Sequence, residues 1–114
     1  MAKKAIFSLL DAVNGTGTGT PDVTINSSDQ NYLKIRMGYM RFYNCGTGYS
    51  PPTSYNQNCI SVIQPLNTPY STIYCNSGTS CTQSSSASNS VSGEAATGNT
   101  PDAYALQEAG FYFD

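Results

Sequence analysis

Ile6, Leu9, Leu10 and Val13 recur at i, i+3, i+4 and i+7, which puts four apolar side chains on one face of a helix and predicts a helical segment over residues 5–13. Asn14 and Gly15 supply the stop, because both tolerate the left-handed conformation of a helix C-cap. So short a helix is marginal alone and needs a surface to dock on. A strand over Ala5–Leu10 is the alternative. The Gly15-Thr-Gly-Thr-Gly-Thr20 run that follows reads as a flexible connector. It lacks the Gly-Lys-Ser/Thr ending of a phosphate-binding loop. Residues 1–20 are therefore expected to be an N-terminal arm and linker, removable through residue 14 without unfolding the remainder.

From Asp22 the period of the pattern changes from helical to two. Val23 and Ile25 alternate with Asp22, Thr24 and Asn26, as in a half-buried strand. Tyr32 to Tyr43 is the longest strand candidate: Leu33, Ile35 and Met37 alternate with Lys34 and Arg36, and the phase flips after Gly38 to Met40 and Phe42. A β-bulge at Gly38 would keep both apolar sets on one face. Residues 46–58 read as a Gly- and Pro-containing loop. Ile60–Ile63 and Tyr70–Tyr74 are further strands, separated by a turn that carries Pro65 and Pro69. Residues 76–99, dominated by Ser, Gly, Thr and Ala, cannot bury enough apolar surface to offset their ordering entropy and read as a long polar loop. Thr100-Pro101-Asp102 opens a short helix, Gly110 closes it, and Phe111–Phe113 forms a last aromatic strand. The predicted fold is thus mainly β: a small antiparallel β-sandwich or barrel-like domain over residues 21–114, with a short N-terminal helix or arm and long polar loops.

Composition narrows what such a domain can do. In 114 residues only 11% are charged, the net charge is −2 and there is no His. Nucleic-acid binding needs clustered Lys and Arg to displace counterions, and this chain has five in all. No apolar run approaches the length of a membrane-spanning helix. Without imidazole, Ser or Cys nucleophiles lack their usual base. The seven acids are scattered and read as caps and solvated charges. The expectation is a protein that is not an enzyme and carries no cofactor or metal.

Four cysteines, Cys45, Cys59, Cys75 and Cys81, form an even set in a small polar chain. Two disulfides are the first reading, with local pairing favouring Cys45–Cys59 and Cys75–Cys81. Free thiols are the second. A zinc site is the third, since only Cys75 and Cys81 approach metal-ligand spacing. Disulfides imply a virion or extracellular location, yet Asp11 interrupts the apolar run after Met1-Ala-Lys-Lys4, so no signal peptide is recognisable.

The nine tyrosines raise a further candidate. Tyr49 and Tyr55, in the Pro- and Gly-rich loop, could form a contact surface for protein or glycan. The same residues could equally serve as core, as Tyr70 and Tyr74 are expected to. The candidate assembly anchors are Ile6, Leu9, Leu10, Val13, Phe111 and Phe113. A thin core and a Ser-rich stretch that needs neighbours lead to one expectation: a structural protein of an extracellular assembly, as a homo-oligomer or within a larger particle. A bacteriophage virion accessory (capsid decoration, head-fibre or tail component) fits best. The alternative is a secreted or surface pilus or adhesin-type module that binds a glycan or protein.

Overall fold

The computed structural model describes residues 2–42, 53–55, 60–95 and 102–113. These form two compact units, the first from residues 1–39 and 64–94, the second from 40–63 and 95–114. The expected mainly-β domain is not what the chain builds. The described residues hold four α-helices and two small two-stranded sheets.

In the first unit, α1 runs over Ala2–Leu10. Its buried positions are Phe7 and Leu10, and Lys3, exposed one turn before Phe7, donates from Nζ to the Ser92 carbonyl at 2.9 Å. The predicted helix is present but begins and ends three residues earlier than expected, and its face is rotated. Leu9 is exposed, Ile6 is half-buried, and Val13 is buried beyond the helix end. Phe7 lies outside the i, i+3, i+4, i+7 set, yet it is buried and its larger ring sets which face docks.

The strand expected at 22–26 contracts to β1, Thr24–Ile25, which pairs antiparallel with β4, Cys81–Thr82, in the register Thr24–Thr82 and Ile25–Cys81. The long strand predicted over 32–43 loses Tyr32 and Leu33 to the end of α2, Ser27–Leu33, and residues 34–38 are irregular. A local capping signal starts this helix. The Asn26 side chain accepts the Ser28 N–H at 2.8 Å, and the Asp29 carboxylate accepts the Asn26 N–H at 2.8 Å. Lys34 ends it in the left-handed region at φ 55°. Only β2, Tyr39–Phe42, survives as strand. Gly38 is needed for close approach and not for a bulge. A Cβ there would meet the Gln64 carbonyl and the Leu66 nitrogen at 2.9 Å.

The strand expected at Tyr70–Tyr74 is α3, Tyr70–Cys75. Tyr70, Ile73 and Tyr74 fall at i, i+3 and i+4, and all three are buried. A short apolar run fits both periods. Pro69 before it and left-handed Asn76 (φ 53°) after it, with the Asn76 N–H on the Thr72 carbonyl at 2.9 Å, decide for helix. Around α3 gather Phe7, Leu10, Ile25, Cys81 and Val91 as the core of this unit.

The Ser-rich stretch is ordered by its own chain as far as residue 95. Ser90 Oγ donates to the Ala87 carbonyl at 2.6 Å, the Ala87 N–H donates to Ser92 Oγ at 3.1 Å, and a 3₁₀ turn over Val91–Gly93 inserts Val91 into the core. Serine hydroxyls close the turns that apolar residues do not stabilise. Over residues 76–95 the chain thus supplies ordering contacts of its own, which the sequence had not suggested.

The second unit holds β3, Ile60–Gln64, up to Ile63, and α4, Asp102–Phe113; β3 pairs with β2. The helix runs through Gly110 and takes in Phe111–Phe113, so the final aromatic strand is also absent. Met40, Tyr55 and Ala109 pack on buried Ile60.

Candidate functional site

The polar centre of the first unit is a pair of buried carboxylates. Asp29, fully buried, accepts the N–H groups of Ala12 and Val13 on Oδ1 at 2.7 and 2.9 Å, besides Asn26 on Oδ2. One side chain therefore caps α2 and fixes the chain leaving α1. Asp11 accepts the Asp22 N–H on Oδ1 at 3.2 Å and the Val23 N–H on Oδ2 at 2.9 Å. Burial raises the Asp11 pKa above its ordinary 3.8; the two backbone donors oppose this, and the Asp29 and Asp22 charges add to it. Each carboxylate is spent on backbone N–H groups, which is a structural arrangement.

Beside Asp11 lies a groove of about 510 Å³ whose walls include Phe7, Pro21, Val23, Gln83 and Ser84. Val23 stands at its edge, 70% exposed, with φ 61°. A β-branched residue in the left-handed region is a backbone outlier. The Asp11–Val23 hydrogen bond holds it there. Alternation in the sequence places Val23 with Ile25 on the buried face, and the structure turns it outward. The signal that reverses it is Asp11, which no local pattern connects to residue 23.

The other candidate residues separate. Leu10 and Val13 belong to the core, whereas Leu9 is exposed. In the second unit Phe111 is partly buried and Phe113 exposed at 66%. Tyr55 is partly buried and stacks edge to face on Tyr112, with centroids 5.3 Å apart. Tyr49, Cys45 and Cys59 lie outside the described residues. Cys75 and Cys81 are buried free thiols brought together at the end of α3: Sγ of each faces the Ser71 carbonyl, at 3.3 and 3.8 Å. Burial first, then the Cys75 thiol beside it, push the Cys81 pKa far up. Burial likewise raises the Tyr74 phenol, with the two neighbouring cysteines adding to the effect.

Among the described residues, no helix is long and apolar enough to cross a membrane. Comparison with protein-family models, with curated proteins and with solved structures finds no match to the chain.

Proposed function

We propose that the chain is a non-enzymatic structural protein of an extracellular assembly, with a bacteriophage virion accessory as the leading case. The observation that carries the reading is the display of Val23. A strained backbone holds a β-branched apolar side chain out into solvent at the edge of a groove, where an isolated subunit gains nothing from it. Leu9, Tyr32 and Ile35 are further large apolar side chains exposed in the same unit. The low charge of the chain leaves little repulsion to keep copies or partners apart.

Sedimentation of the purified chain from micromolar to near-millimolar concentration tests this. Association that grows with concentration and is weakened by Val23→Ser is the expected result. A single unassociated species throughout would remove the support. The second reading, a surface module that binds glycan, draws on the same groove, with its mixed apolar wall and the amide of Gln83. Saturable binding to a sugar array, lost on Gln83→Ala, would favour that reading over the first.

A further inference from the structure

The two described cysteines sit where neither the assembly reading nor the groove uses them. Cys75 is the last residue of α3 and Cys81 the first of β4. The segment between them is pinned. Asn76 caps the helix, and the carbonyl of Ser77 accepts from Ser71 Oγ at 2.8 Å and Thr72 Oγ1 at 3.0 Å. Both sulfurs therefore converge on one acceptor, the Ser71 carbonyl, at 3.3 and 3.8 Å. Both residues are more than nine-tenths buried, at 7% and 6% exposure. Around them pack Ile25, across the strand pair from Cys81, and Tyr74.

Convergence and burial have opposite effects on thiol chemistry. Convergence makes a bond between the sulfurs geometrically local, a ring of seven residues from Cys75 to Cys81. Burial shuts out the reagent, because exchange requires in-line approach of a third sulfur, and it holds Cys81 as the thiol. We propose that Cys75 and Cys81 form a trapped redox latch: a low-molecular-weight disulfide closes the pair while the first unit is open, and the closed fold then preserves whichever state it was given.

The chemistry balances. One cysteine thiolate attacks a sulfur of oxidised glutathione and releases one glutathione thiolate. The second cysteine then attacks the mixed disulfide and releases the other. Cys75 and Cys81 each lose a hydrogen, the new sulfur–sulfur bond replaces that of glutathione, and both protons end on the two glutathione thiols. Closing ties the end of α3 to β4 directly. On loop entropy alone it raises the folded-to-unfolded ratio on the order of 50-fold.

The test uses the unmodified full chain, refolded from denaturant in reduced or in oxidised glutathione and then, once folded, transferred to the opposite buffer. After alkylation, chymotryptic cleavage at Tyr74 and Tyr104 releases a peptide that contains Cys75 and Cys81 but neither Cys45 nor Cys59. Refolding in oxidised glutathione is expected to give this peptide two hydrogens lighter and unalkylated. Refolding in reduced glutathione is expected to give it doubly alkylated. Each state should outlast transfer at least about a hundredfold longer than in the denatured chain, and urea below the unfolding midpoint should shorten that interval. Exchange in the folded protein as fast as in the denatured one overturns the trap. So does a bridge from Cys75 or Cys81 to Cys45 or Cys59, or a product that stops at glutathione adducts.

Discussion

Phe7 and Tyr74 meet edge to face in the first unit, with ring centroids 5.1 Å apart and planes inclined at 70°. That pair joins α1 to α3 across most of the length of the chain. It makes the N-terminal helix part of a core and not an arm laid upon one. Phe7→Ala is expected to lower stability by about 3–4 kcal/mol, from lost burial and the cavity left behind. Phe7→Leu should cost about a third of that, both read from urea denaturation. Deleting residues 1–14 removes Phe7, Leu10 and Val13 together and should unfold the first unit, seen as collapse of amide chemical-shift dispersion. A folded truncated chain would restore the arm expected from sequence.

Asp29 is the second test. Asp29→Ala leaves the N–H groups of Ala12, Val13 and Asn26 without their acceptor and should cost at least about 3 kcal/mol, since each buried unpaired donor costs about 1–3. Asp29→Asn keeps one carbonyl oxygen and should fall between that variant and the natural chain in thermal melts.

Asp11 gives a pH dependence of definite sign. Its folded pKa lies above its ordinary 3.8. Between those two values the folded state binds more protons than the unfolded one. Stability contributed by this group is therefore full below about 3.8, falls as pH rises to the folded pKa, and is level above it. Urea titrations at a series of pH values should show the natural chain losing stability relative to Asp11→Asn across that window. A difference that does not vary with pH would show that Asp11 is not strained by burial.

Two glycines should respond in opposite directions to the same change. A Cβ on Gly93 would collide with the Ala87 carbonyl, so Gly93→Ala should destabilise the first unit by about 2–3 kcal/mol. A Cβ on Gly110, inside α4, meets nothing within 4 Å. Gly110→Ala should stabilise by about 0.5–1 kcal/mol through helix propensity. Calorimetry on both variants checks the contrast.

Where local pattern and tertiary packing agreed, the elements could be read in advance: a helix before Asn14, and a strand beginning at Ile60. Ile25 as a buried position was also readable. Elsewhere one apolar pattern suited two periods. Tyr70, Ile73 and Tyr74 satisfy a helix as well as a strand, and the flanking Pro69 and Asn76 carried the decision. Residues 27–33 show the opposite failure: the capping pair Asn26 and Asp29 is local and present in the sequence, but the strand pattern on either side obscures it. The order of residues 76–95 was hidden for another reason. It comes from serine hydroxyls and from α1, through Lys3 and Ser92, and no local pattern encodes a partner 89 positions away. The groove was equally illegible, since Asp11 and Val23 become neighbours only after folding.

The first unit is assembled from two stretches of chain, and its strand pair joins Ile25 to Cys81. On a ribosome that order has a cost in time. Phe7 and Leu10 emerge first, but Val91, which completes their core, follows roughly 4–16 s later at ordinary elongation rates of about 5–20 residues per second. Until Tyr74 emerges the nascent segment lacks the ring that Phe7 packs against, and until Val91 emerges the core stays incomplete. The first unit is thus expected to recruit holding factors during translation and to fold only once Val91 has left the ribosome.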